Sequence, residues 1–207
     1  MQNKGDRYYF IKTVALERGQ VYISPFDLNV ENGEVEQPLK PVLRVAIPIV
    51  DRFEIRHGIV ILNFLGQRLL DELSEIGINS QGKTLVLNMD GYWLKGIDPA
   101  DEWGFMFPDR QGKTFGSRFP KVWQEISAKE RGRVSTDDGL FTYATVKPLA
   151  KGWASASGEY QAYQPDKSDA DLSNYSWKIV SFVPAATIQA EGDRLRLPLL
   201  ILGFILT

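Results

Sequence analysis

Two apolar runs, VLRVAIPIV at 42–50 and GIVILNFLG at 58–66, are separated only by the polar connector DRFEIRH. Runs so rich in β-formers, joined by so short a polar segment, predict a pair of antiparallel strands closed by a hairpin. Both are apolar at odd and even positions, so the pair is expected to be covered on both faces rather than wet on one. Each run holds one conspicuous polar residue. Arg44 is the lone charge of the first; it is either an edge side chain reaching solvent or a counter-ion for a ligand carboxylate, which a guanidinium grips bidentately. Asn63 is the only polar residue of the second, and burial would oblige it to find a hydrogen-bond partner, either a ligand or a neighbouring backbone group.

Around this hairpin the pattern reads as alternating helices and short strands. Residues 6–17 place Tyr8, Ile11 and Ala15 on one helical face, with Gly19 as the stop. A strand, VYIS at 21–24, follows and ends at Pro25; Tyr22 and Ser24 share one of its faces, Val21 and Ile23 the other. The Pro-rich stretch 25–41 reads as a long loop with room for one short strand. Leu65, Leu69, Leu73 and Ile76 then recur at helical spacing up to Gly77. Beyond them KTLVLNMDGYWLKG carries Asp90-Gly91, a tight hairpin signal, and 96–116 is a Pro- and Gly-rich loop. Phe119, Val122, Trp123 and Ile126 form a helical stripe with Pro120 in its first turn. Strands at 132–136 and 139–147 meet at Asp137-Asp138-Gly139, residues 155–175 read as an exposed loop, and a last strand at 175–183 runs into Pro184 and a final helix.

A chain with a formal net charge of −2 and interspersed acids and bases has no basic stripe, so nucleic acid is not an expected partner. Having no Cys and one His, it has little material for zinc, thiol or Ser-His-Asp chemistry, and no cofactor is expected. Asp98, Asp101 and Glu102 cluster in GIDPADEWG, but beside Pro and Gly such residues cap turns more often than they catalyse. His57 reads as a solvated turn residue, and Trp93, Trp103, Trp123 and Trp177 as core rather than a sugar platform.

The C-terminal segment LRLPLLILGFILT has no charge after Arg196. At helical rise, 197–207 covers only about 16 Å of a ~30 Å hydrocarbon core, so it is expected to be the start of a transmembrane helix that the sequence does not complete. Arg194 and Arg196 would lie at the membrane edge. The N-terminus, MQNKGDRYYF, contains no apolar signal or anchor segment, and more chain is expected upstream.

DRYYF, VYISPFDLNVENGEVEQPLKPVLRVAIPIVD and HGIVILNFLG resemble the second half of the membrane-distal module of double-Cache (double PDC, PAS-like) sensor domains. MDGYWLKGIDPADEWGFMF with FPKVWQEI resembles the membrane-proximal module of the same family. The resemblance implies an α+β fold of two PAS-like modules, each an antiparallel sheet flanked by helices. Residues 1–66 would be an incomplete distal module, 67–78 a connecting helix, 79–183 the proximal module, and 184–207 an exit helix entering the membrane. It implies the periplasmic or extracellular part of an inner-membrane receptor, dimeric when whole: a sensor histidine kinase, with a diguanylate cyclase or chemoreceptor as alternatives. Small ligands of such receptors bind the distal module, and the positions here that would line that site are Arg7, Tyr9, Tyr22, Ser24, Arg44 and Asn63. Arg7, Tyr8, Tyr9 and Tyr22 are similar to the arginine and aromatic set of the amino-acid-binding subfamily. The Asp that holds a ligand ammonium there is replaced by Asn63, which favours an organic anion over a free amino acid. A membrane-anchored hydrolase and a ligand-free structural ectodomain are the alternatives from other classes.

Overall fold

The structure, a computed structural model, describes residues 4–76, 82–147, 164–165 and 176–190. By its internal contacts the chain divides into two compact units. Unit 1 comprises Met1–Leu69 and Lys147–Ser176, and unit 2 comprises Leu70–Val146 and Trp177–Thr207.

Unit 1 begins with helix α1 (Tyr8–Val14), followed by β1 (Gln20–Ile23), β2 (Asp27–Leu28), β3 (Val30–Glu31), β4 (Glu34–Val35), β5 (Pro41–Val50) and β6 (Arg56–Leu65). The long strand β5 is the spine. β1 and β2 lie antiparallel along one of its edges, with Tyr22 opposite Ala46 and Asp27 opposite Val42, and β6 runs antiparallel along the other. The hairpin expected from the two apolar runs is therefore present, its turn organised by the Asp51 carboxylate, which accepts the amides of Phe53 and Ile55. Gln164–Pro165 (β11) adds to β1 as a parallel pair.

Three expectations are corrected in this unit. On the α1 face carrying Tyr8, Ile11 and Ala15 the last two are exposed, whereas Tyr8, 40% exposed, turns its phenol in to the Asp27 carboxylate; the buried face is Tyr9, Thr13 and Leu16, where Leu16 meets Tyr22 and Ala46, and the Thr13 hydroxyl donates to the Tyr9 carbonyl. Cover on both sides of the hairpin is also not found among the described residues. Opposed residues of an antiparallel pair share a face. Leu43/Phe64, Val45/Leu62 and Ile47/Val60 thus form one apolar surface, on which Leu62 is 69% and Phe64 55% exposed among the described residues. Finally, the supposed loop 25–41 contains a two-residue hairpin. Asn32 and Gly33 both have positive φ (51° and 87°), the mirror-image turn that matches strand twist, and they join β3 to β4.

Unit 2 is built on β7 (Lys83–Leu87), β8 (Trp93–Lys95), β9 (Arg131–Thr136), β10 (Gly139–Val146) and β12 (Trp177–Pro184), in the order β8-β7-β12-β10-β9, all antiparallel. Helix α2 (Gln67–Ile76) leads into it. Leu65, expected on that helix, ends β6 instead, and α2 buries Leu70. Asn88, whose side chain accepts the amides of Asp90 and Tyr92, and Gly91 at φ 82° make the turn between β7 and β8. Between β8 and β9 come three 3-10 turns, the short helix α3 (Phe115–Arg118), capped by the Thr114–Ser117 capping box, and α4 (Pro120–Ala128), which begins on Pro120 as expected. One sheet face presents Leu85, Leu87, Trp93, Phe141, Val180 and Phe182 to Phe115, Phe119, Val122 and Ile126. Phe141 and Phe182 are cross-strand partners with rings stacked at 4.5 Å. Fully burying side chains of this size stabilises by about 1.5–3 kcal/mol each.

Among the described residues no helix is long and apolar enough to cross a membrane. The tail at 195–207, most of the final helix beyond residue 190, the helix stop at Gly77, and the loop at 155–175 apart from Gln164–Pro165 lie outside the described residues.

Candidate functional site

The charged residue inside the apolar strand β5 decides where polar chemistry can occur in unit 1. Arg44 is 4% exposed and faces the same side as Ala46 and Tyr22, beneath α1. A buried guanidinium is tolerated only when neutralised and hydrogen-bonded. Its counter-charge is Asp27 of β2: Nη1 donates to Oδ1 of Asp27, and Nη2 donates to Asn29 Oδ1 at 3.1 Å. The Tyr9 ring lies against the guanidinium, 5.0 Å from centroid to Cζ, a cation–π contact.

Asp27 is itself nearly enclosed. Its second carboxylate oxygen accepts the phenol of Tyr8, the first residue of α1. Burial pushes the Asp27 carboxyl up from its ordinary range, with Arg44 and the Tyr8 hydroxyl pulling the other way. Burial and the neighbouring carboxylate push the Tyr8 phenol up as well, which keeps it a proton donor. Tyr8 and Tyr9 meet edge to face at 5.4 Å. Asn29 passes the network outward, its amide donating to Glu36 at 2.8 Å. The result is a compact cluster carrying both signs of charge, Arg44, Asp27, Tyr8, Tyr9 and Asn29, held between one helix and two strands.

The residues expected at this site are divided by the structure. Arg44, Tyr9 and Tyr22 share the face under α1. Ser24 is fully buried but serves the backbone: its hydroxyl accepts the Arg44 amide at 2.9 Å and donates to the Pro25 carbonyl. Asn63 lies opposite Arg44 in the strand register and shares its face, yet is exposed. Arg7 is half-buried at the start of α1 and makes no side-chain cap there. Of the two alternatives for Arg44, solvent access is excluded, and the carboxylate it grips is a protein one. Asp27 and Asn29 were missed. A lone Arg in an apolar strand implies a counter-charge on an adjacent strand, and Asp27 in SPFDLN was the signal available.

The discounted catalytic features are accounted for by structure. Asp98 caps a 3-10 turn through the Ala100 amide, Asp101 pairs with Lys113 at 2.8 Å, and Glu102 accepts the Gly96 amide. His57, expected in a turn, is instead the second residue of β6, exposed and 2.9 Å from the Asp51 carboxylate. Trp93 and Trp103 are core residues, and Trp123 packs against the core.

Comparison with known proteins places this architecture. A family model described as the bacterial histidine kinase sensor domain matches residues 1–154. No curated protein sequence matches significantly. Among solved structures, the extracellular domain of vpHK1S-Z8, assigned as a histidine kinase, superposes with a TM-score of 0.71 at 18% identity, covering 92% of this chain and 60% of that one. A domain of a protein assigned to the sensory box/GGDEF family from Vibrio parahaemolyticus gives 0.70 at 18% identity, covering 91% and 62%. The ligand-binding domain of the Pseudomonas aeruginosa amino acid chemoreceptor PctB, in complex with L-Arg, gives 0.53 at 14% identity, covering 95% and 62%. The chain thus spans about three fifths of the length of these domains.

Proposed function

The chain belongs to the bacterial histidine kinase sensor domain family, and we propose on that basis that it is the extracytoplasmic ligand-sensing region of a membrane receptor, with its ligand site at the Arg44–Asp27 cluster. The family is one of sensors, not of enzymes. Two PAS-like (PDC/Cache) modules, one in each compact unit, are the organisation we infer. Attachment to the inner membrane runs through the apolar segment at 195–207, and a homodimer is the working assembly. The sheets at the centre of both units and the likeness to extracellular and chemoreceptor domains support this.

The observation that carries the ligand assignment is the buried pair of opposite charges under α1. A small zwitterion with adjacent carboxylate and ammonium groups can replace both halves of that pair at once, its carboxylate on Arg44 and its ammonium on Asp27. Asp27 supplies the negative charge that Asn63 does not, so an amino-acid-like ligand regains ground over a simple organic anion. Exchange would release the Tyr8 phenol from Asp27 and so free the start of α1. A ligand that binds the opened arrangement better than the closed one shifts the population between them, which is all a sensor requires.

Calorimetric titration of the chain with a panel of amino acids and their deaminated analogues tests this. We expect binding of at least one amino acid, weakened by about tenfold or more in Asp27→Asn, while the deaminated analogue is affected much less. Equal weakening of both, or no binding by any member of the panel, would overturn the assignment and leave the cluster as a structural lock.

A further inference from the structure

Unit 2 contains a second polar site, away from its aromatic core. The end of β8 and the segment after it, Gly96 to Glu102, stand over the first residues of β7 and bound an open cleft of about 340 Å³ with Ser74 of α2. That volume lies at the lower end of the range for small-molecule sites, about 300–1,000 Å³. Three ionisable side chains line it: Lys83, Lys95 and Glu102. Glu102 is the buried member, with its side chain 11% exposed. One of its oxygens, Oε1, accepts the Gly96 amide at 2.9 Å. Lys95 Nζ is 3.9 Å from Oε1, close enough to feel the charge and too far to donate a hydrogen bond. The hydroxyl of Thr84 is at hand in the same wall.

The cleft therefore presents two ammonium groups and one largely buried carboxylate. Its lining sums to a single positive charge, which matches a monoanion. Two lysines can share one carboxylate, and Oε2 of Glu102 can take a hydrogen bond from a hydroxyl beside that carboxylate. A phosphate dianion would face Glu102 at close range with no proton to offer it, and a free amine would meet two like charges. We propose that this cleft of unit 2 binds a small hydroxycarboxylate, gripped by Lys83 and Lys95 and oriented by Glu102. It is distinct from the Arg44–Asp27 cluster, shares no residue with it, and stands or falls separately.

The test is an NMR titration of the isotope-labelled chain with glycolate and lactate, each set against acetate and propionate, which lack the hydroxyl, and against inorganic phosphate. The expected result is saturable shifts at the Lys95, Gly96 and Glu102 amides, with the hydroxy acids binding more tightly than their plain counterparts. Lys95→Met should weaken lactate binding by about tenfold or more, the loss of one charge-assisted hydrogen bond. Glu102→Gln, which keeps an acceptor but removes the charge, should retain the preference for the hydroxyl. The proposal fails if phosphate binds as tightly as lactate, if the shifts cluster around Arg44 instead, or if Lys95→Met leaves lactate affinity unchanged. It fails equally if no probe shifts these amides up to ~10 mM, a concentration that would reveal even millimolar affinity.

Discussion

Removing the charge of Arg44 gives the sharpest test of the physical account of unit 1. Arg44→Met keeps the aliphatic stem, so apolar packing is largely retained and the change isolates the guanidinium. The structure shows what is lost: the charge-assisted bond to Asp27, a hydrogen bond to Asn29 at 3.1 Å and the Tyr9 ring contact at 5.0 Å. These are worth roughly 1.5–3, 0.5–1.5 and 0.5–2 kcal/mol. Asp27 would remain buried without a counter-charge, so a net loss of about 3–5 kcal/mol is expected, the range for breaking one side of a buried pair. Adding Asp27→Leu removes the stranded carboxylate and should restore about 2 kcal/mol or more, a coupling energy readable from the double-mutant cycle. The readout must report on unit 1. Four of the five tryptophans, Trp93, Trp103, Trp123 and Trp177, belong to unit 2, so tryptophan fluorescence would follow mainly that unit. Hydrogen exchange of the Tyr22, Arg44 and Ala46 amides, which lie where β1 meets β5, reports the right one. A single-mutant cost below about 1 kcal/mol, or coupling under about 0.5 kcal/mol, would refute the view that the pair holds α1 and β2 onto β5.

Two further outcomes follow from unit 2. A Cβ added at Gly139, where φ is 145°, would lie 2.2 Å from the Val183 carbonyl oxygen, so Gly139→Ala should cost about 3 kcal/mol or more and lower the tryptophan-monitored unfolding midpoint. Burial, with Asp98 and Asp71 adding to it, raises the Glu102 carboxyl above its ordinary 4.5, against the pull of the Gly96 amide and Lys95. Its contribution is therefore full below that ordinary value and is lost as pH rises through the folded one. The melting temperature of Glu102→Gln relative to the unaltered chain should accordingly rise between about pH 4 and pH 7, and a flat difference would contradict the shift.

Where local chemistry governs an element, the sequence was legible. The hairpin of β5 and β6, the turns at Asp90-Gly91 and Asp137-Asp138-Gly139, and the Pro120 start of α4 all follow from turn geometry or from a missing amide proton. Where tertiary partners choose, it was not. Nothing in YYFIKTVAL says whether Tyr8 and Ile11 or Tyr9 and Thr13 will face the sheet, because both stripes are half apolar. The alternation in β6 shows that its faces differ little in polarity, which cannot show that Leu62 and Phe64 lack cover among the described residues. Asn32-Gly33 is hard to read as a hairpin because strands of two residues give no periodicity on either side of a turn. The candidate site was half visible: the oddity of Arg44 stood out, but its partner Asp27 sits in a Pro-flanked stretch with no regular pattern.

The strand order of unit 2 also sets a timetable for its assembly. Its middle strand, β12, is the last to be made, and its neighbours β7 and β10 have no pairing with each other in the finished sheet. During synthesis at ~5–20 residues per second, Leu85, Val86 and Leu87 would wait roughly 5–20 s for Ile179, Val180 and Phe182 to emerge. The β9–β10 hairpin and the aromatic helices can form early, but the core between them cannot close. A chain cut before Trp177 would then be two separated half-sheets with the side of a core exposed on each, which makes the final strand the step at which this unit either completes or becomes a substrate for chaperones and proteases.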